Sequence, residues 1–343
     1  MKRGKAVWVI VLLVSATLAG MKVFPVFFDR PLTSGKSQAL SSLRVVQIPE
    51  GATFRQVATL LEKEQVIRSR WVFLALGKLD GTQRRILAGE YAFHAGMKPS
   101  DILSELRQGH VVLHPITIPE GYTLAQIAAL FEQRGLGQAR ELDRLAHDPE
   151  FIRSLGLDVA SLEGYLAPDT YRFARNVSAK EILTSMVEGT RKVFTSDLIT
   201  RAAELHMSVH EVLTLASVVE KETGAGRERD FVSSVFHNRL KRRIPLQSDP
   251  TVIYGLKRFD GNLRKRDLLE PSPYNTYRRA GLPPGPIANP GAQAIRASLF
   301  PAPTKYLYFV SRNDGTHQFS STLAEHERAV DHYQRKRQGR RLP

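Results

Sequence analysis

The sequence predicts an α+β protein. An N-terminal transmembrane helix comes first, then small strand–helix modules, then a mostly helical body that closes with a β-hairpin. Three observations predict this. A basic-flanked apolar run opens the chain, a twenty-residue strand–turn–helix pattern occurs twice, and helical periodicity with marked helix starts fills much of the second half. At 343 residues the chain is long enough for about two or three domains and a substantial core.

Lys2, Arg3 and Lys5 precede an apolar run from Ala6 to Met21, which Lys22 interrupts and Val23 to Phe28 resumes. As a helix, residues 6–28 reach about 35 Å, enough to cross a hydrocarbon layer of ~30 Å. The basic residues 1–5 then stay on the cytoplasmic side, and the chain after about residue 30 faces outward. A cleaved signal peptide is the alternative. Against it, Phe24 to Phe28 stays apolar and aromatic where a small-x-small cleavage site would be followed by polar chain. The expected location is the inner membrane, single-pass, with the body in the periplasm.

The chain has no cysteine, which excludes disulfides, thiolate metal sites, a cysteine nucleophile and a lipidated N-terminal cysteine. The formal charge of +15 suits an anionic partner. For an exported body that partner is a membrane surface or cell-wall polymer, and not nucleic acid.

Residues 29–43 read as a polar linker. The repeat follows. Ile48 to Ile67 reads IPEGATFRQVATLLEKEQVI and Ile118 to Gly137 reads IPEGYTLAQIAALFEQRGLG, with nine of twenty positions identical at an offset of 70. Each copy follows a β-type run, Val45 to Ile48 or Pro115 to Ile118. Each then carries a Thr-x-x-Gln capping box, Thr53/Gln56 or Thr123/Gln126. Apolar residues at helical spacing come next: Val57, Leu60 and Leu61, or Ile127, Leu130 and Phe131. Between the copies, Gly89 to Phe93 reads as a strand and Lys98 to Leu106 as a short helix. The modules are bounded at 44–111 and 112–160. They are either a duplicated packing unit or small wall-binding modules of LysM type, which share a strand–helix pattern.

From about residue 139 the spacing predicts helices over 140–154, 179–195, 196–206 and 208–223, and a loop-rich stretch from Ile244 to Pro303. A strand over 306–310, a turn at Asn313-Asp314-Gly315, a strand near 316–319 and a helix from Ser321 to Lys336 complete the chain. The basic tail reads as a solvated helix end.

Zinc-protease, phosphate-loop, nucleophile-elbow and CxxC patterns are all missing from the sequence. No metal or cofactor is expected. The carboxylates say more. Ser208 to Thr223 reads SVHEVLTLASVVEKET, a helix whose start is marked by Ser208 and Glu211 and which is apolar nearly all round. Its last turn holds Glu220, Lys221 and Glu222. Glu220 shares a face with Leu213, Ala216, Ser217 and Gly224, so small residues would leave room for a ligand beside an acid in apolar surroundings. Such surroundings, with the negative end of the helix dipole, favour a protonated carboxyl fit for general-acid work. A solvated helix end is the plainer alternative. Glu222 lies about 200° round the helix, so the two do not form a close pair. Further clusters are Leu162 to Tyr171, Gln247 to Thr251 with Tyr254, and Ser272 to Tyr277 with Gly281 to Pro290. Their aromatic, amide and hydroxyl groups are those that hold sugar rings, and equally those of ordinary turns.

Taken together, LEGYLAPDTY, LASVVEKET followed by Glu228-Arg229-Asp230, Val235 to Leu240, LQSDPTVIYG, YNTY and GLPPGPIANPG resemble the YceG-like family of endolytic murein transglycosylases over nearly the whole chain. His237 stands where many members carry an aliphatic residue. The resemblance implies a catalytic domain over 161–343 and cleavage of the bond between N-acetylmuramic acid and N-acetylglucosamine within peptidoglycan glycan strands. No water is consumed, and a 1,6-anhydro end is left, as when elongation of a nascent strand is terminated. It implies one essential glutamate, at Glu220, acting as acid and then base. It also implies substrate contacts at Glu163, Tyr165, Gln247, Asp249, Thr251, Tyr254, Tyr274, Asn275 and Tyr277, a LysM-like module around 112–160, and peptidoglycan synthases of the same membrane as partners. Two other readings stay open: a muramidase in which Asp249 or Glu163 activates water, and a membrane-anchored wall-binding scaffold without activity.

Overall fold

The computed structural model describes residues 29–30, 43–81, 86–94, 96–224 and 226–335. The expected membrane helix over 6–28, nearly all of the linker and the basic tail lie outside these residues. Among the described residues no helix is long and apolar enough to cross a membrane. Helices dominate the described residues, with three two-stranded sheets among them, an α+β architecture. The chain divides into two compact units, one running to His114 with Arg172–Asn176, the other formed by Pro115–Tyr171 and Val177 onward.

In the first unit, β1 (Leu43–Ile48) pairs antiparallel with β2 (Gly89–His94), in register Val46 with Tyr91. Between them come α1 (Phe54–Lys63) and α2 (Arg70–Asp80), and α3 (Pro99–Gln108) follows. Val46, Ile48, Val57, Leu61, Phe73, Tyr91, Phe93, Ile102 and Leu106 form the core. Alternation on β1 sends Val46 and Ile48 inward and leaves Val45 exposed, as the two-residue period of a strand requires.

The repeat returns over residues 114–173, most of which belong to the second unit. β3 (His114–Thr117) pairs with β4 (Thr170–Phe173), and α4 (Leu124–Gln133), α5 (Ala139–Ala146) and α6 (Pro149–Ser154) lie between them in sequence. The match between copies is close. Both capping boxes form, and Val57, Ala58 and Leu61 correspond to buried Ile127, Ala128 and Phe131. Gly51 and Gly121 take φ of 72° and 74°, a left-handed turn that favours glycine, which explains why both copies spell IPEG. The structure extends the unit beyond strand–helix, by α2 and β2 in one copy and by α5, α6 and β4 in the other.

The expected helix over 140–154 is two helices. Asp148 accepts hydrogen bonds from the N–H groups of Glu150 and Phe151, and Pro149 begins a new helix. Then come α7 (Ala179–Val193), α8 (Ser196–Glu204), α9 (Val209–Glu222), α10 (Arg229–Lys241), α11 (Asp249–Gly255) and α12 (Ala292–Leu299). The last two fall inside the stretch expected to be loop. The hairpin of β5 (Tyr308–Ser311) and β6 (His317–Ser320) forms as expected. The final helix, α13 (Leu323–Val330), is shorter than expected and passes into a π-helical turn over Asp331–Arg335.

Helix α9 is the spine of this unit. Val212 to Val219 are buried without interruption, because α12 packs across one side and α10 along another. Leu215, Val218 and Val219 join Val232 and Phe236 of α10, with Leu246 and Ile287, in one core cluster.

Candidate active site

Two carboxylates leave the end of α9 and meet different surroundings. The Glu220 side chain is 7% exposed. One of its oxygens accepts from Arg229 Nη2 at 3.1 Å and the other from the Gly291 N–H at 3.1 Å. The same Arg229 nitrogen donates to Glu120 of the second IPEG turn at 3.2 Å, and Lys221 Nζ donates to Gly121 O at 3.3 Å. A Cβ on Gly291 would sit 2.0 Å from Glu120 Oε1, so a larger residue there would displace the Glu120 side chain. The apolar, roomy setting expected for Glu220 is therefore corrected. Leu213, Ala216 and Ser217 are wholly buried, and Ser217 Oγ accepts from the Ile287 N–H at 3.0 Å. The small residues admit protein, not ligand, and Glu220 ties the end of α9 to the IPEG turn and the start of α12.

Glu222 lines a cavity of about 360 Å³ together with Gln247, Asp249, Tyr277, Arg239, Tyr308, Phe309 and His326. The volume is in the range of small-ligand sites. Its stem lies on the face of Leu215, Val218 and Val219, in the core cluster. Enclosure of the carboxyl pushes its pKa up to about 7, and the nearby charge of Asp249 pushes the same way. A hydrogen bond from Ser248 Oγ, 2.6 Å, and the proximity of His317 pull less strongly downward. Ser248 stands where it would cap α11, but its hydroxyl serves Glu222 instead.

The QSDPT and YNTY strings form one device around this acid. Gln247 N–H donates to Thr276 O at 3.1 Å, and Ser248 N–H to Thr276 Oγ1 at 3.1 Å. Thr251 and Thr276 hydroxyls meet at 2.8 Å, and Tyr277 OH donates to Asp249 Oδ1 at 2.6 Å. Asn275 holds the segment from beneath through Leu268 O and Glu270 O. Arg239 is buried and forms the floor. Its guanidinium donates to the carbonyls of Leu307, Pro245 and Leu246 and to Gln247 Oε1, and it stacks on Tyr308 at 5.1 Å. Commitment of Gln247 Oε1 to Arg239 leaves the amide NH₂ free to donate. Gln247 itself sits at φ 52°, a costly left-handed position for a non-glycine residue and one that often marks a functional site.

Of the ten residues expected at the site, Gln247, Asp249 and Tyr277 line the cavity, and Thr251 and Asn275 lie buried beneath it. Glu220 is held by Arg229 and Gly291 instead, and the remaining four, Glu163, Tyr165, Tyr254 and Tyr274, form a separate network. Glu163 is 5% exposed and accepts from the Leu124 N–H at 3.0 Å, from Asn289 Nδ2 at 2.9 Å and from Tyr254 OH at 3.3 Å. Burial pushes its pKa up to about 7. Tyr274 packs on Tyr254, centroids 4.8 Å apart, and Tyr165 OH meets His210 Nδ1 at 3.0 Å. His210 Nε2 is within 2.9 Å of Pro284 O, which fixes the ring between that carbonyl and the Tyr165 hydroxyl. Through Asn289 this network locks the second IPEG turn to the IANPG segment. It is a buried scaffold in which Glu163 is engaged by three donors.

Glu222, Ser248 and Arg239 are the residues that sequence reasoning misses. A signal was present for Glu222: positions three, four and seven before it are Val219, Val218 and Leu215, a more apolar face than that of Glu220. Among the described residues no cluster of His, Asp and Glu could hold a metal ion.

A buried acid whose pKa enclosure raises to about 7, lining a small cavity with a carboxylate, a tyrosine and an amide, defines a site for acid–base chemistry on a polar substrate. The chain belongs to the YceG-like family, whose model matches residues 46–332. A protein of Bacillus subtilis named endolytic murein transglycosylase is 34% identical over 304 residues, covering 84% of both chains. One of the same name from Streptococcus pneumoniae is 30% identical over 317 residues, covering 83% of this chain and 57% of the relative. The crystal structure of a YceG-like protein from Listeria monocytogenes is 34% identical with a TM-score of 0.58, covering 84% of this chain and 99% of that one.

Proposed function

We propose that the protein is an endolytic murein transglycosylase, a lyase of peptidoglycan glycan strands, and that Glu222, rather than Glu220, is its proton donor. The observation that carries the assignment is the enclosure of the Glu222 carboxyl, its pKa pushed upward by burial, in a cavity with Asp249, Tyr277 and Gln247. The names of the relatives support the reaction.

In this mechanism Glu222 gives its proton to the oxygen joining N-acetylmuramic acid C1 to the next N-acetylglucosamine. The C1–O bond breaks, and the glucosamine leaves with that proton. Positive charge develops at C1, which the Asp249 carboxylate opposes across the cavity. The Glu222 carboxylate then takes the proton of the muramic C6 hydroxyl, whose oxygen closes on C1. No water enters, and Glu222 ends as it began, protonated. Arg239 keeps Gln247 in place to donate through its amide.

The rate is expected to fall as pH rises through about 7, because Glu222 must carry a proton to act. Asp249→Asn removes a like charge, so the pKa of Glu222 falls and this limb moves to lower pH. Ser248→Ala removes a hydrogen bond that favours the charged form and moves it to higher pH. A pH profile of kcat for the three proteins checks both signs. A limb that stays put in both variants would separate the titrating group from Glu222.

Residues 6–28 are read as a single-pass anchor that keeps the body at the outer face of the inner membrane, supported by the basic start and the apolar run. The repeated strand–helix units, the second of them within residues 112–160, suit LysM-like attachment to the wall. Synthases of the same membrane are the partners that the proposed reaction suggests.

A further inference from the structure

A second cavity, of about 490 Å³, lies in the same unit as the acid cavity. Its apolar part is an aromatic cluster. Phe319 of β6 touches Phe231 of α10 and Tyr306, both at 5.6 Å between centroids, and the Tyr306 ring lies within 29° of parallel. Phe231 is 40% exposed, a large ring left open beside two others. Around them stand Arg227, Arg312 and Asp314. Arg312 donates to Gln318 through Nη2, while its Nε is shut away from solvent with no acceptor.

The signs are mixed. Glu228 is engaged by both the N–H and the ring of His317, at 3.1 and 2.8 Å, and Asp314 accepts from Thr316. Two guanidiniums therefore face two engaged carboxylates. That balance suits a neutral ring rich in hydroxyl and acetamido groups better than a phosphate. Stacked aromatic faces with polar atoms at their edges hold the apolar face of a sugar and its hydroxyls together.

The two cavities share a wall. His317 lines the second, and its ring lies 5.3 Å from that of Phe309, which lines the first. A strand cleaved internally extends on both sides of the broken bond, so a strand in the acid cavity needs a path along the protein. We propose that the second cavity is a remote subsite for a sugar ring of the same glycan strand, centred on Phe231, Tyr306 and Phe319. The proposal rests on the transglycosylase reading and adds to it a preference for long strands.

The test uses uncrosslinked glycan strands with stem peptides intact, fractionated by length, and compares wild type with Phe231→Ala and Phe231→Trp. Wild type is expected to favour long strands over short ones, with the gain in KM. In Phe231→Ala that advantage shrinks by about three- to tenfold, the size of one lost aromatic stacking contact. Phe231→Trp restores it, which a merely structural role for the ring would not predict. A Phe231→Ala protein that keeps the wild-type dependence on length overturns the subsite. Wild type that cleaves strands of no length overturns the transglycosylase reading itself, and the subsite with it.

Discussion

Glu222→Gln is expected to lower kcat for strand cleavage by about 10²- to 10⁴-fold, the usual contribution of a positioned general acid. The amide keeps the size of the carboxyl and can still accept from Ser248 Oγ, so the fold is retained. Removal of an acid that burial holds protonated also removes a charge the folded state resists above pH 7. The variant should therefore unfold no more easily than wild type at pH 8. Glu220→Gln should behave differently. It leaves Arg229 with Glu120 as its remaining counter-charge in a poorly exposed place, and weakens the tie from α9 to the IPEG turn and Gly291. The expected result is a loss of about 2–4 kcal/mol in stability, with kcat of the folded protein much less affected than in Glu222→Gln. Urea unfolding and kcat measured on both variants separate the two carboxylates. A stable, inactive Glu220→Gln beside an active Glu222→Gln would return the acid role to Glu220.

Arg239→Ala should cost about 3 kcal/mol of stability or more, and abolish cleavage. The guanidinium satisfies three main-chain carbonyls and the Gln247 amide oxygen at once. Its loss strands those acceptors, several of them buried, and opens a void under Tyr308. It also frees Gln247 from a strained backbone position at the cavity edge. Arg239→Lys should recover only part of either loss, because a single ammonium cannot span Leu307 O and the 245–247 segment. Thermal midpoints and kcat for the pair check this. An Arg239→Ala protein as stable as wild type would contradict the role given to these hydrogen bonds.

Local signals carried most of the fold. Thr53/Gln56, Thr123/Gln126 and Ser208/Glu211 mark helix starts in the sequence and are capping boxes in the structure. The hairpin was legible from its turn residues. Helices α2 and α10 have no side-chain cap at their starts, and α11 and α12 lie among prolines and glycines that read as loop. The break between α5 and α6 came from Asp148-Pro149, a start signal inside an otherwise continuous helical pattern. The site was harder to read, because it is made by elements distant in sequence. Gln247, Asp249 and Tyr277 were named from their chemistry, but only tertiary packing brings them to Glu222. At Glu220 the small residues on its face suggest room for a ligand in the sequence alone. They are where the Ile287 segment and α12 press against α9. Arg229, nine residues on, supplies the charge that sequence spacing did not place beside Glu220.

The central claim is that Glu222 cleaves the strand by proton transfer, with the C6 hydroxyl in place of water. The most direct test digests uncrosslinked glycan strands with the full-length protein and with Glu222→Gln, and reads the new ends by mass spectrometry. The account predicts muramic ends one water lighter than reducing ends from wild type, and none from the variant. Ordinary reducing ends would contradict it and make Asp249, in the same cavity, the activator of a water.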